Sequence, residues 1–448
     1  MSIVRPILFC LLLAFSLNAS AADTNSLVWH TAADRVSADM HAEPLLPLLE
    51  DIGRQTGWRI FVEPDTERNA SAKFKDLPSG DALHKLLGDL NFAFVPQTNG
   101  SSQLYVFRTT MQNATKPVSV AKIPRRVANE LLIRVKPGTD IDALAKLVGA
   151  KITGRIDKLG LYRLQFSDAA ATDAALGQLK NNSDVADVSY NYIYDAPPAP
   201  QMISSVPVGP VSLTLNPQGA SGKTIVGLID TPVQPLDPSL EQFLLKQLSA
   251  VDNTSAAGTD PTHGTAMAET ILRALASASG GGTSAQILPV NVYGSGETTT
   301  SFDVALGIQL AVDNGANVLN LSLAGAGDSS VLAGIIQQAI AAGIPVFAAA
   351  GNQPVGTPMF PAADSGVIAV TATQGNQLAP YANYGNFVDI ALPGASVIFV
   401  GNQAYVVQGT SVSTAFASGV AAGNKAAGNA TWAQILAAMQ KKFPVPQK

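Results

Sequence analysis

The sequence predicts an α/β protein in which a parallel-sheet domain, residues 214–448, follows two small α+β domains. From Gly222 onward, apolar runs of strand length alternate with helical stretches, which is the pattern of βαβ units and a parallel sheet. Two earlier segments, residues 22–110 and 129–195, each show strands interleaved with amphipathic helices. A chain of 448 residues is long enough for several folding units with cores of their own.

The composition is that of a globular protein and excludes several classes of partner. Hydrophobic residues make up 47% of the chain and charged residues 14%, with 38 Gly and 28 Pro, so we expect packed domains with many turns. The formal net charge is -5, and no long run of Lys or Arg occurs. Such a chain has no electrostatic footprint for nucleic acid or for an anionic membrane.

The first 21 residues have the features of a secretory signal peptide. Arg5 precedes an apolar run over residues 7–17, and Ala19 and Ala21 form an A-x-A cleavage pattern. The run is shorter than the ~20 residues that span a bilayer, and no later segment is long enough, so we expect no membrane span in the mature chain. Cleavage near Ala21 would also remove Cys10, the only cysteine, and leave an exported protein without a thiol or disulfide.

The sequence offers no recognisable metal site, and no cofactor is expected. Without cysteine, the commonest zinc frameworks are absent from the mature chain. The four histidines are scattered, without ligand-like pairing, at His30, His41, His84 and His263. Asp237, Asp252 and Asp260 lack the spacing of a known calcium loop, so a structural calcium ion stays possible but unassigned.

Residues 22–110 are predicted to fold as strand, helix, strand, helix, strand. Apolar residues recur at helical spacing from Leu45 to Ile52, a second helix is predicted over residues 82–90, and strands are predicted over 58–62 and 104–107. The phrases ADMHAEPLLPLLEDIGRQTGWRIFVEP and FKDLPSGDALHKLLGDLNFAF resemble the short N-terminal module of secretins and TonB-dependent receptors. That resemblance implies the periplasm or envelope of a Gram-negative bacterium, or secretion from it, and an envelope protein partner. The alternative is a small α+β domain of unknown use.

A polar stretch over residues 111–128 is predicted to be a linker, and the next domain covers residues 129–195. Its phrases NELLIRVKPGTDIDALAKLVGA and DVADVSYNYIYD resemble the inhibitory propeptide that precedes many subtilisin-like domains. The resemblance implies a zymogen whose own propeptide is an intramolecular inhibitor. Residues 196–213 are Pro-rich and predicted to form an extended link. We expect the activating cut near this link, although no residue marks the bond.

In the third segment, strands are predicted over residues 224–229, 287–292, 318–323, 345–349 and 367–371, and helices over 264–276, 302–314 and 331–342. Functional groups of open parallel sheets gather at the carboxyl ends of the strands. Asp230 follows the apolar run KTIVGLI and Asn352 follows IPVFAAAG. Both positions therefore fit a site at the edge of the sheet.

Three residues of this segment could form a nucleophilic site. His263, the only histidine after residue 84, stands at a predicted helix start, and Ser411 follows a Gly-Thr turn that opens a helix of small residues. A serine hydroxyl becomes a good nucleophile when a positioned base takes its proton, and the base needs an acid such as Asp230 to fix its tautomer. Taken singly, each residue has a simpler explanation as a loop cap, a helix terminus or an N-cap.

Four separated phrases stand in the order Asp, His, Asn, Ser: VGLIDT, HGTAMAE, AAAGN and GTSVSTAFASG. Together they resemble the motifs of subtilisin-like serine peptidases over nearly all of residues 222–425. The resemblance implies an endopeptidase that hydrolyses peptide bonds of a protein or peptide substrate through an acyl-enzyme. It assigns Ser411 as the nucleophile, His263 as the general base and then acid, and Asp230 as its orienting partner. Asn352 and the Ser411 backbone N–H would stabilise the oxyanion.

The same resemblance implies residues that bind substrate. GANVLNLSLAG is similar to the substrate-pairing strand of the family. The implied substrate-binding residues are Ser322, Leu323 and Ala324, which would pair with the substrate backbone, and Ala349, Ala350 and Gly351, which would wall the main specificity pocket.

Four positions depart from the usual form of the family: Pro232, Glu269, Ala415 and Phe416. None removes a catalytic group, but they leave the loop geometry in question, and Ala415 does so most because it lies one helical turn from Ser411. The alternative function is an envelope interaction protein whose subtilisin-like domain only processes itself or serves as a scaffold.

Overall fold

The computed structural model describes residues 25–96, 102–118, 124–203, 214–215, 223–252, 260–280, 282–400, 403–428 and 430–446. The chain separates into two compact units, Met1–Val118 and Ser119–Lys448. The predicted signal peptide lies outside the described residues, as does part of the predicted Pro-rich link. Within the described ranges, no helix combines the length and the apolar character needed to cross a membrane.

The helices are α1 (Leu45–Thr56), α2 (Ser79–Leu87), α3 (Ile141–Leu147), α4 (Ala169–Lys180), α5 (Pro238–Glu241), α6 (His263–Ser279), α7 (Ser301–Asp313), α8 (Ser330–Ala341), α9 (Thr410–Ala427) and α10 (Trp432–Lys442).

The strands of the first unit are β1 (Ser26–His30), β2 (Arg35–Pro44), β3 (Arg59–Val62), β4 (Asn69–Leu77), β5 (Asn91–Val95), β6 (Gln103–Phe107) and β7 (Lys116–Val118). The strands of the second unit are β8 (Arg126–Val135), β9 (Lys151–Ile156), β10 (Leu161–Gln165), β11 (Val185–Asp195), β12 (Gln201–Ile203), β13 (Thr214–Leu215), β14 (Ile225–Asp230), β15 (Leu248–Ser249), β16 (Gly282–Thr283), β17 (Gln286–Asn291), β18 (Thr298–Thr300), β19 (Val318–Leu321), β20 (Val346–Ala349), β21 (Ile368–Gln374), β22 (Gln377–Leu378), β23 (Ile390–Pro393), β24 (Ala395–Val400) and β25 (Gln403–Gln408).

The first unit contains two small sheets, ordered β1-β2-β4 and β5-β6-β3-β7, with α1 and α2 packed on a shared core. The predicted helical spacing is confirmed, because Leu45, Leu48, Leu49 and Ile52 are all buried on one face of α1. The predicted linker over residues 111–128 needs correction at both ends. Strand β7 pairs with β3 inside the first unit, and β8 already begins at Arg126.

The second unit begins with a five-stranded sheet in the order β18-β11-β8-β10-β9, which packs α3 and α4 against a core of its own. Strand β18 comes from the segment that follows the main sheet's β17. The small α+β domain is therefore joined by backbone pairing to the larger domain that follows it. Strand β11 makes this junction, since its first part pairs with β8 and its end pairs with β18.

The main sheet has the order β15-β17-β14-β19-β20-β21-β22, with β23 also paired to β21. The pairings from β15 to β21 and that of β23 are parallel, whereas β22 is antiparallel. All residues of β14 are buried, as expected for a central strand covered on both faces. The α/β class predicted from the sequence is confirmed.

Successive residues of β14 point to opposite faces of the sheet and so enter different cores. Val226 and Leu228 pack with α6, α9 and α10, whereas Ile225 and Ile229 pack with α7 and α8. Helix α9 is rich in small residues because it packs closely on α6. A Cβ atom at Gly419 would lie 2.6 Å from the Ala274 Cβ and 2.7 Å from the Ile271 carbonyl oxygen.

Candidate active site

Three elements bring Asp230, His263 and Ser411 together. Asp230 ends β14, His263 begins α6, and Ser411 lies in the first turn of α9. His263 Nδ1 is 2.8 Å and 3.0 Å from the two carboxylate oxygens of Asp230, and His263 Nε2 is 3.0 Å from Ser411 Oγ. All three residues are less than 5% exposed. The result is a continuous series of hydrogen bonds from a buried carboxylate to a serine hydroxyl.

The Asp230 carboxylate decides which nitrogen of His263 carries the proton. An ionised carboxylate only accepts hydrogen bonds, so Nδ1 must donate its hydrogen to Asp230. Nε2 then has a free lone pair and accepts the hydrogen bond from the Ser411 hydroxyl. This tautomer is the one in which His263 can take the proton of Ser411.

The start of α6 fixes the position of His263. Thr262 caps the helix, accepting a hydrogen bond from the Thr265 N–H at 3.1 Å. The Gly264 N–H donates to Thr231 Oγ1 at 2.7 Å, and the Thr231 N–H donates to Asp230 Oδ1 at 2.7 Å. The loop after β14 therefore holds both Asp230 and the helix that carries His263. Pro232 occurs in this loop, and the hydrogen bond between Asp230 and His263 is present beside it.

A turn at a glycine precedes Ser411. Gly409 precedes α9 with a φ of 149°, and a Cβ atom there would lie 3.0 Å from Asn352 Nδ2 and 3.1 Å from Ser411 Oγ. Glycine accommodates this conformation and leaves room beside the serine. The first turn of a helix also has backbone N–H groups without acceptors in the helix, so the Ser411 N–H is in a suitable place for an anion.

Thr410 sets the orientation of the Asn352 amide. Asn352 Oδ1 accepts hydrogen bonds from the Thr410 N–H at 2.8 Å and from the Thr410 hydroxyl at 3.0 Å. The same hydroxyl accepts the Gly351 N–H at 3.1 Å. Since the amide oxygen is occupied by donors, the Nδ2 group is directed to the other side, beside Gly409 and Ser411. Sequence reasoning missed Thr410, although it stands inside the GTS phrase.

Ser322 connects the predicted substrate-pairing segment to Ser411. Its hydroxyl donates to the Ser411 carbonyl at 3.1 Å and accepts from Asn320 Nδ2 at 2.8 Å. Ser418, farther along α9, donates to Asn320 Oδ1 at 3.0 Å. These buried bonds fix α9 relative to β19. Ala415, the departure nearest to Ser411, is fully buried within the same continuous helix.

A cavity of about 370 Å³ lies beside Ser411. Its walls include five of the six predicted substrate-binding residues, which are Ser322, Leu323, Ala324, Ala349 and Gly351. Ala350 does not line it, which corrects the prediction. The residue is fully buried, and its N–H donates to the Val370 carbonyl in the main sheet. Ala350 therefore contributes to the sheet and not to the cavity wall.

The small α+β domain also lines this cavity. The sequence predicted that this domain is an inhibitor but did not indicate which of its residues lie at the cavity. Its contributions are Arg125, Ile193 and Asp195, and the residues that follow it, Pro197 and Pro198, line the cavity as well. The two domains share further buried contacts. Ser189 and Ser329 are joined by a hydroxyl–hydroxyl bond of 2.8 Å, and Asn191 Oδ1 accepts the Phe302 N–H at 3.2 Å.

Glu269 is a buried carboxylate that ties α6 to the hairpin β24-β25. It accepts the Phe399 N–H at 2.8 Å and a hydrogen bond from Arg273 at 3.3 Å, and Arg273 also donates to the Val397 carbonyl at 2.8 Å. Burial raises the pKa of Glu269 to about 7, although the Phe399 N–H and the Arg273 guanidinium oppose that rise. The hairpin leads directly to Gly409, so Glu269 and Arg273 link the helix that begins at His263 to the strand before Ser411.

We expect Glu269→Gln to change how stability depends on pH. A carboxyl group whose pKa is raised on folding favours the folded state while it is protonated, and this contribution is lost as the pH rises from about 4.5 to about 7. The difference between these pKa values corresponds to about 3 kcal/mol, at 1.36 kcal/mol per pKa unit. The melting temperature of the variant should therefore rise relative to wild type as the pH goes from about 4.5 to about 7. The exposed Glu297→Gln change should give a melting temperature that varies with pH in parallel with that of wild type. The same parallel course for Glu269→Gln would refute the prediction.

Metal ligands are not apparent in the part of the chain that the structure describes, where no three His, Cys, Asp or Glu side chains are grouped to hold an ion. Asp237, one of the acidic residues considered for calcium, caps α5 by accepting the Ser239 N–H at 2.9 Å. Asp252 and Asp260 flank residues 253–259, which lie outside the described ranges.

Comparison with known proteins gives two family matches. Residues 221–443 match the model of the subtilase family of S8 peptidases, and residues 113–191 match the model of the fervidolysin N-terminal prodomain. The second match covers most of the small α+β domain at the start of the second unit.

Similar proteins include the thermophilic serine proteinase of Bacillus sp. (strain AK1), which is 30% identical over 312 residues, or 66% of this chain and 77% of that protein. Thermitase from Thermoactinomyces vulgaris is 33% identical over 210 residues, or 46% of this chain and 75% of thermitase. The crystal structure of fervidolysin from Fervidobacterium pennivorans, a keratinolytic enzyme related to subtilisin, has a TM-score of 0.51 at 18% identity. That similarity covers 68% of this chain and 55% of fervidolysin, and it is one of fold.

Proposed function

The chain belongs to the subtilase family of serine peptidases, and from that premise we propose that it is an endopeptidase whose catalytic residues are Asp230, His263 and Ser411. The hydrogen-bond series from the Asp230 carboxylate through His263 to the Ser411 hydroxyl carries this proposal. The family membership and the prodomain match favour synthesis as a zymogen.

The proposed reaction forms and then hydrolyses an acyl-enzyme. His263 Nε2 takes the proton of Ser411 while Ser411 Oγ bonds to the substrate carbonyl carbon. The oxyanion that forms accepts hydrogen bonds from Asn352 Nδ2 and the Ser411 N–H. The C–N bond then breaks, and His263 gives its proton to the leaving amine. In the second half, His263 takes a proton from water and the hydroxide bonds to the ester carbon; the bond from that carbon to Ser411 Oγ then breaks, the acid product leaves, and His263 gives its proton back to Ser411 Oγ.

We propose that the substrate binds as an extended strand along residues 322–324. In that mode, main-chain hydrogen bonds supply affinity, and pockets for alternate side chains supply specificity. Ala349 lines the cavity with only a methyl group and Gly351 with no side chain, which leaves room for a large apolar group. The substrate class proposed is therefore protein or peptide in an extended conformation.

A fluorophosphonate probe tests the proposed nucleophile. Such a probe reacts with activated serine hydroxyls, and the cavity beside Ser411 offers it space. We expect a single adduct on Ser411, no labelling of Ser411→Ala, and labelling of Ser413→Ala, a serine two residues farther along the same helix. Labelling of another serine in the Ser411→Ala protein would contradict the assignment.

We also propose export to the cell envelope, with the first unit as a docking module for an envelope protein. The basis is the signal-peptide pattern over residues 5–21 and the resemblance of residues 22–110 to the secretin and TonB module. Fractionation of cells, followed by mass spectrometry of the mature N-terminus, tests export. A cytoplasmic protein that retains residues 1–21 would overturn it.

A further inference from the structure

The chain crosses the candidate active site between two anchored strands. Before the crossing, the end of β11 pairs with β18, with Tyr194 opposite Thr299, and the next residue, Ala196, donates its N–H to the Glu297 carbonyl at 2.7 Å. After the crossing, β12 pairs with β25, with Gln201 opposite Val406. Residues 196–200 therefore form a short crossing segment.

The crossing segment passes the proposed nucleophile. Pro197 and Pro198 line the same cavity as Ser411 and Asn352, and the residue after Val407 and Gln408 of β25 is Gly409 of the nucleophile turn. The crossing segment thus forms part of the wall of the cavity where the proposed function puts a substrate.

Buried side chains fix the register of this chain. Tyr194 is 1% exposed and lies against Gly325, where a Cβ atom would be 2.9 Å from the tyrosine ring. Asp195 pairs with Arg125, and its carbonyl accepts the Tyr293 hydroxyl at 3.3 Å. A slip by one residue would turn Tyr194 to the opposite face of the strand and remove it from this pocket. The same residues of the crossing segment therefore stay at the wall of the cavity that Ser411 also lines.

The residues held there are poor substrates. Five peptide bonds lead from Ala196 to Gln201, and three of them have a proline nitrogen, at Pro197, Pro198 and Pro200. A proline nitrogen carries the ring Cδ where an ordinary leaving amide carries hydrogen. His263 must bring a proton to this nitrogen as the C–N bond breaks, and the ring occupies part of its approach.

The remaining bonds are also disfavoured. The Pro198–Ala199 bond has an ordinary leaving nitrogen, but both residues on its N-terminal side lack the N–H that pairs a substrate with an adjacent strand. Pro200–Gln201 is preceded by proline as well and lies directly before the paired strand β12.

We infer that residues 196–200 are a built-in inhibitor that Ser411 does not cleave, so that activation requires a different peptidase to cut the chain outside this segment. The inference rests on the proposed function, because it assumes that Ser411 is an active nucleophile. It predicts that the purified full-length protein keeps its prodomain covalently attached across the site.

The test compares the wild-type chain with the P197A/P198A variant, using mass spectrometry to locate cuts during incubation. We expect wild type to stay intact over residues 196–200. The variant should be cut within this segment, and the further change Ser411→Ala should stop that cut. Pro137→Ala, at an exposed position of the small domain, serves as the matched control and should behave as wild type. The single Pro198→Ala variant, also at an exposed position, guards against a folding defect in the double variant.

Fluorophosphonate labelling of the same samples distinguishes failure of the inference about residues 196–200 from failure of the proposed function of Ser411. Ser411-dependent cutting of wild type within residues 196–200 would overturn the inference. So would intact P197A/P198A and P198A proteins whose Ser411 is labelled by the probe. Absence of labelling in every protein that contains Ser411 would instead refute the proposed function.

Discussion

Replacement of His263 by alanine is expected to lower kcat for peptide hydrolysis by ~10⁶-fold, the size measured for the corresponding change in subtilisin, a relative of this chain. His263 Nε2 lies 3.0 Å from Ser411 Oγ, and without it no group in the series can take the serine proton. The measurement is best made after an added peptidase has cut the chain outside residues 196–200 in both proteins, because a variant without His263 would not cut its own chain.

The combined variant His263→Ala/Ser411→Ala provides a sharper form of this prediction. Residues that act as one unit do not contribute additively, so the double change should be about as inactive as either single change. His84→Ala, a change in the first unit, serves as the control and should retain wild-type kcat. Retention of activity within tenfold by His263→Ala, or a further large loss in the double variant, would show that the two residues do not act together.

Replacement of Asn352 by alanine is expected to lower kcat by ~10²- to 10³-fold with little change in KM. This range was also measured on subtilisin. The physical reason is that the Asn352 Nδ2 group donates to an oxyanion that exists in the transition state and not in the bound substrate. Hydrogen bonds from Thr410 to Asn352 Oδ1 hold the amide in that orientation before substrate arrives.

Two further variants distinguish this role from a structural one. Thr410→Val removes the hydroxyl that orients the amide, so it should lower kcat less than Asn352→Ala and in the same direction. Asn314→Ala, at the end of α7, removes an asparagine outside the cavity and should leave kcat unchanged. A large rise in KM with unchanged kcat in Asn352→Ala would assign the residue to substrate binding and contradict the oxyanion role.

The main sheet could be predicted because its strands are almost wholly apolar. Strands such as β14 and β20 are buried on both faces, so their sequences are continuous apolar runs with clear ends. By contrast, β4 was not predicted, because NASAKFKDL is largely polar and mostly exposed. Its position in a sheet depends on pairing with β2, which a single sequence does not reveal.

The residues that gather at the candidate site could be predicted from the sequence for a different reason. Asp230 and Asn352 follow apolar strands, where the functional groups of parallel sheets gather. His263 is the only histidine of its segment, so it was the only candidate for a histidine base. The role of Thr410 depends on two hydrogen bonds to Asn352, which lies 58 residues earlier in the chain. Ala350 was misplaced because adjacent residues of an extended segment face opposite ways, and the sequence does not tell which of them faces the cavity.

Glu269 shows how a departure from a family pattern can be explained by structure. The sequence marked it only as unusual within the helix of His263. In the structure it holds the Phe399 N–H and Arg273, and so connects α6 with the hairpin before Gly409. Its partner strand lies about 130 residues later, which places the compensating contact beyond any local sequence signal.

The most direct test of the central claim is a titration of Ser411 with a fluorophosphonate while turnover of an unfolded protein substrate is followed in the P197A/P198A protein. If Ser411 is the nucleophile of an endopeptidase, turnover will fall in proportion to the fraction of Ser411 labelled and reach zero at one adduct per chain. Turnover that persists when Ser411 is fully labelled would contradict the account.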